Sequence, residues 1–198
     1  NTNVLKLYST LVRDPERQLL FYDPGVGTMG APQAIWRVER FLTKVAGLAF
    51  GYGLTGNVVD AYRFLMRNWQ PGDQIYLFGF SRGAYTARVL AGMLHMMGLL
   101  HPDEENLCSY ALRLFRERAF GVSREFQEVM GRPIGKIRFV GVWDTVSSVG
   151  WFPVTFPYTA RTDSFVTGRH AISIDERRAF FRTNRWNVRP GDDVKQVW

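Results

Sequence analysis

Gln74-Ile75-Tyr76-Leu77-Phe78-Gly79-Phe80-Ser81-Arg82-Gly83-Ala84-Tyr85-Thr86-Ala87 is the stretch on which the fold turns. Its first five residues are an apolar run of strand length. An alanine-rich run of helical character begins at Ala84. Between them lies Gly79-Phe80-Ser81-Arg82-Gly83, a serine between two glycines. A G-x-S-x-G pattern is common by chance, but strand, tight turn and helix together are the setting in which such a serine becomes a nucleophile. A serine at a sharp turn of this kind adopts a strained backbone. Glycines at Gly79 and Gly83 are expected to remove side chains that would clash there. The start of the following helix brings partial positive charge to the site, and the Arg82 N–H is the expected first oxyanion donor. A phosphate-binding loop is the competing reading of a glycine-rich turn before a helix, but the Walker spacing is absent.

Outward from this turn, strands and helices alternate. Val4, Leu5, Leu7, Tyr8, Leu11 and Val12 recur at helical spacing and predict a helix over roughly 2–12. Gln18 to Tyr22 reads as a buried strand ending at Asp23-Pro24-Gly25. A helix is expected over about 34–46, a glycine-rich connection over 47–56, and a helix from Asn57 to about Trp69. Lys136 to Trp143 reads as a strand ending at Asp144, and Val194 to Trp198 as another. Residues 145–165 read as a long loop over the active face, and a short helix is expected around His170 to Phe180. The alternation predicts an α/β fold of α/β-hydrolase type: a mostly parallel sheet with helices on both faces. It is read as a single catalytic domain over 1–198, with a helical insertion at about 101–131. The first residues, Asn1-Thr2-Asn3, lack an initiator Met, and Trp198 falls in an apolar run. The chain is therefore expected to be a piece of a longer one, with the first strand and a C-terminal part outside it.

Composition narrows the function classes. Apolar residues make up 46% and charged residues 22%, as in an ordinary globular domain. The net charge is +7, which suits an anionic surface, but the arginines are dispersed and no nucleic-acid-binding motif accompanies them. The single cysteine, Cys108, cannot form an internal disulfide and fits folding in a reducing cytoplasm, with later export left open. The longest apolar stretch, Val89 to Leu100, is shorter than the roughly 20 residues of a membrane span.

A serine nucleophile needs a base and an acid, in the chain order serine, acid, histidine for this fold. Asp144 suits the acid because it ends a strand on the same edge as Ser81. Of three histidines, only His170 follows Asp144, so order makes it the candidate base; the alternative is a structural His170 and a base beyond Trp198. His95 and His101 belong to the helix after Ser81 and to the turn that follows. No His or Cys cluster of metal-ligand spacing is seen, and neither metal nor cofactor is expected. Asp23 and Asp144, both at strand ends, keep open a metal-dependent phosphoesterase, and a non-catalytic binding module of the same fold is the other alternative.

Several stretches taken together resemble a known family. They are Asn3-Val4, Tyr22-Asp23-Pro24-Gly25-Val26-Gly27-Thr28, Gly79 to Ala84, Val142-Trp143-Asp144-Thr145-Val146, His170-Ala171 and Asp175-Glu176-Arg177. In order and spacing they are similar to the uncharacterised α/β-hydrolase domain family that includes phospholipase effectors of type VI secretion. The resemblance runs over nearly the whole chain. It implies a Ser-His-Asp esterase acting on phospholipid acyl esters, with Ser81 and Asp144 in the matching positions. It also implies an Asp-Gly-Thr strand end before Asn3 and a His-Ser-Asp-Val-Gly-Gly-Gly-like motif after Trp198 that would supply a base other than His170. The expected partners are a lipid or other ester substrate and a peripheral membrane contact. Trp151, Phe152, Phe156 and Tyr158 are candidates to hold an acyl chain, core packing being the alternative.

Overall fold

The computed structural model describes residues 2–24, 53–145, 156–173 and 184–198. α1 (Asn3–Thr10) opens the chain, and its N-cap Thr2 accepts a hydrogen bond from the Leu5 N–H at 3.3 Å. α2 spans 53–68 and begins a turn earlier than its expected start at Asn57. The extra turn carries Leu54, which is buried, so packing outweighs the low helix propensity of Gly53 and Gly56. After a turn through Gly72, held at φ +101°, come β1 (Tyr76–Phe80) and α3 (Arg82–Met97).

Four strands form one parallel sheet. β4 (Ile137–Trp143) lies beside β1, β5 (Phe165–Ala171) beside β4, and β6 (Asp193–Val197) beside β5. β2 (Leu99–Leu100) and β3 (Gly131–Arg132) pair separately and antiparallel. Between β2 and β3 the chain forms a 3-10 turn (Pro102–Leu107), α4 (Cys108–Arg116) and α5 (Phe120–Met130). The result is the α/β architecture expected from the alternating pattern, a parallel sheet with helices around it.

Two expected elements differ. Residues 18–22 have no ladder partner among the described residues. Leu19 and Phe21 are 49% and 43% exposed, and Phe21 packs on Phe64 of α2 at 5.2 Å. A short apolar run becomes a strand only beside another, and this one is held by aromatic contacts instead. His170 lies in β5, not in a helix. Gly168 and Arg169 disguise that strand in the sequence, and its burial comes from the flanking β4 and β6. The helix expected over 34–46 lies outside the described residues, as do most of the residues of its flanking loops.

The core joins α2, α3 and α4 to the sheet through Val58, Tyr62, Met66, Val89, Met93, Phe115, Val140 and others. Tyr62 is wholly buried. It donates its hydroxyl proton to the Gly98 carbonyl at 2.9 Å and accepts from the Leu100 N–H at 3.1 Å, and burial pushes its ionisation upward. Arg132 closes the end of α2. Its guanidinium donates to the carbonyls of Met66 (2.7 Å), Trp69 (3.1 Å) and Leu100 (3.0 and 3.2 Å). A cation there satisfies carbonyls that a helix C-terminus leaves unpaired. Arg132→Met is expected to cost about 2 kcal/mol, read as a lowered urea midpoint with an unchanged slope.

Candidate active site

The carboxyl ends of the parallel strands form one edge. Phe80, Trp143, Ala171 and Val197 lie level across β1, β4, β5 and β6. Beyond that line the chain turns sharply at two polar residues. Ser81 has φ 54° and ψ −115°, and its N–H donates to the Trp143 carbonyl at 2.8 Å. Asp144 has φ 48°, and its N–H donates to the Ala171 carbonyl at 2.9 Å. Positive φ at a residue with a side chain costs on the order of 1–3 kcal/mol and persists only where the surroundings impose it. Here two adjacent strand ends each place it on a residue with a polar side chain.

The turn at Ser81 explains one glycine and not the other. A Cβ on Gly79 would stand 2.5 Å from the Ala84 Cα and collide with the Gly83 carbonyl. A Cβ on Gly83 meets nothing within 4 Å among the described residues, so the clash expected at that position is not found. Arg82 opens α3, whose N-terminus lies directly behind Ser81.

His170 is placed differently from Ser81 and Asp144. It sits one residue short of the edge on β5, level with Val142 of β4, and is 1% exposed. Its ring meets Trp186 edge-on at 5.6 Å. Gln196 fixes the tautomer. The Gln196 Oε1 accepts from the Trp186 N–H at 2.9 Å, and its Nε2 donates to the Trp186 carbonyl at 3.1 Å. The oxygen therefore faces the His170 Nδ1, 3.3 Å away, which must carry the proton. Nε2 is buried without a hydrogen-bond partner among the described residues. Burial pushes the ring's pKa down to about 4, the Gln196 contact opposes this, and Arg88 and Arg185 add to it. Neither Ser81 nor Asp144 hydrogen-bonds to His170. His95 lies late in α3 against Tyr158 at 4.9 Å, and His101 caps the 3-10 turn.

The other expectations fall as follows. Asp23 lines a groove with Asn57, Asp60, Arg67 and Glu105, and neither Ser81 nor Asp144 is among its lining residues. Among the described residues no group of three His, Cys, Asp or Glu could hold a metal ion. Phe156 is 3% exposed and stacks on Phe115 at 5.8 Å, which is core packing. Trp151 and Phe152 lie outside the described residues. No described helix is long and apolar enough to cross a membrane. Sequence reasoning missed Tyr85, Arg88 and Asn184. Tyr85 and Arg88 lie on α3, the helix that starts directly after Ser81, and a charge amid the apolar residues of that helix is the signal the sequence offers.

A parallel sheet whose strand ends hold Ser81 and Asp144 side by side is an α/β protein with polar groups gathered where such sheets bind ligands. The family model described as "T6SS, Phospholipase effector Tle1-like, catalytic domain" matches residues 1–198, and the chain belongs to this family. A Saccharomyces cerevisiae protein described as uncharacterised is 37% identical over 200 residues, covering 91% of this chain. The chain spans 29% of that relative's length. No solved structure matches.

Proposed function

We propose that this chain is the catalytic domain of a serine hydrolase that cleaves acyl esters of phospholipids. The observation that carries the reading is Ser81 at φ 54°, between the end of β1 and the start of α3. Membership of a phospholipase effector family supports the lipid substrate. Ser81 Oγ attacks the acyl carbon, the Arg82 N–H and the α3 N-terminus stabilise the oxyanion, and a covalent acyl-enzyme forms and is hydrolysed. Asp144 orients the histidine that accepts the Ser81 proton.

In this reading that histidine is not His170. A general base needs contact with its proton donor and a pKa near the working pH. His170 is closed in the core with its Nδ1 on Gln196 and its pKa near 4. The base this reading calls for is another histidine, one that reaches the strand ends beside Ser81. The test is fluorophosphonate labelling of the full-length protein at neutral pH. Ser81→Ala is expected to abolish labelling and His170→Gln to retain it; a Ser81→Ala protein that labels like the parent would sink the assignment.

A further inference from the structure

We propose that Arg88 is a positioning residue for the acid, holding Asp144 beside Ser81 through Asn184. The inference rests on the reading of Ser81 and Asp144 as nucleophile and acid. Arg88 lies in the second turn of α3, seven residues after Ser81, the residue from which that helix starts. Its side chain is 2% exposed. The guanidinium donates from Nε to the Thr159 carbonyl at 2.6 Å, from Nη1 to the Asn184 carbonyl, and from Nη2 to Asn184 Oδ1 at 3.2 Å and the Arg185 carbonyl at 3.3 Å. Trp186 lies beneath it, 4.9 Å from the ring centre.

Asn184 is the relay. Its N–H donates to the Thr145 carbonyl at 3.2 Å, and Thr145, wholly buried, directly follows Asp144. Asp144 is therefore gripped on both sides. Its own N–H is held by Ala171 of β5, and the next carbonyl by Asn184, which Arg88 ties to the helix that starts at Ser81. α3 holds the returning chain as well: the Tyr85 hydroxyl accepts from the Phe156 N–H at 3.2 Å.

The energetics favour a geometric role over a stabilising one. No carboxylate pairs with Arg88 among the described residues, and burial pushes its pKa down to about 9. It remains charged at neutral pH, and burying a cation is costly. An apolar side chain would spare that cost but leave the carbonyls of Thr159, Asn184 and Arg185 without this donor. What only a planar fork of donors supplies is simultaneous contact with carbonyls of two separate segments.

The test is a double-mutant cycle in the full-length protein, read as the second-order rate of fluorophosphonate labelling. Arg88→Lys keeps the charge and loses the fork. It is expected to slow labelling about 10-fold or more when Asp144 is present, and less than about 2-fold when Asp144 is already Asn. Equal losses in both backgrounds overturn the inference, since general damage multiplies. Parental rates for Arg88→Lys overturn it too. Should Arg88→Lys fail to fold, Asn184→Ala removes one acceptor and is expected to follow the same pattern with a smaller loss. Hydrogen exchange separates this inference from the function it rests on. The Asp144 and Asn184 amides exchange faster in Arg88→Lys whether or not Ser81 labels, and unchanged exchange overturns the tether. Labelling that ignores Ser81→Ala overturns the proposed function alone.

Discussion

Gly79→Ala is expected to remove probe labelling of Ser81 and to destabilise the protein by at least about 3 kcal/mol, whereas Gly83→Ala leaves both nearly unchanged. The two glycines are symmetric in sequence about Ser81 and unequal in space. A methyl group at residue 79 points into the backbone of the turn itself, at the Ala84 Cα and the Gly83 carbonyl. Backbone atoms cannot rotate aside as a side chain can. The turn must open, and it can open only by moving Ser81 or the first turn of α3. The first movement breaks the hydrogen bond from the Ser81 N–H to the Trp143 carbonyl. The second disturbs a helix whose Ala84, Tyr85 and Ala87 are all buried. A methyl group at residue 83 meets none of the described residues and stands at the start of a helix, where alanine is favoured over glycine by up to about 1 kcal/mol. Urea midpoints and labelling of the two variants, side by side, check the contrast. A Gly83→Ala variant as damaged as Gly79→Ala would mean that both glycines serve the turn.

The same stretch explains what the sequence made legible. A strand, a turn and a helix within a dozen residues are a local pattern, so Ser81 and its setting could be read directly. Asp144 could be read because β4 is an apolar run broken only by Arg138, with a carboxylate at its end. β5 could not. Phe165-Val166-Thr167-Gly168-Arg169-His170-Ala171 has no strong apolar pattern, because its burial is conferred by neighbours on both sides. Chain order alone makes His170 the candidate base, and chain order carries no information about depth in a sheet. Residues 18–22 failed in the opposite sense: the run is apolar enough for a strand, and pairing, which decides the matter, is not a property of the run. Arg88 and Asn184 were illegible for a third reason. Their contact joins residues 96 apart, and only the folded sheet brings the two segments together.

Acid is expected to weaken the native protein through His170, by up to about 3 kcal/mol between pH 6.5 and pH 4. An unfolded histidine takes up a proton near pH 6.5. The native His170 resists until about pH 4, because its ring is buried and Arg88 of α3 and Arg185 of the segment before β6 are both cationic, which together outweigh the Gln196 contact that favours the proton. Across that window the unfolded chain holds the extra proton, so stability falls as pH falls. Below about pH 4 both states are protonated and this group adds no further change. Protonation would place a new N–H at Nε2, a buried atom without a hydrogen-bond partner among the described residues. Other carboxylates titrate in the same range, so the informative quantity is a difference between variants. Urea midpoints of the full-length protein at pH 7.5 and pH 4.5 are compared with those of His170→Gln, whose amide stays neutral throughout. The parent should lose more stability than the variant, and equal losses would mean that His170 is not the group that resists protonation. The same pair of proteins bears on the active site. A residue poised as a base for Ser81 would make His170→Gln inactive at every pH, while a core residue leaves labelling at pH 7.5 intact and removes only the sensitivity to acid.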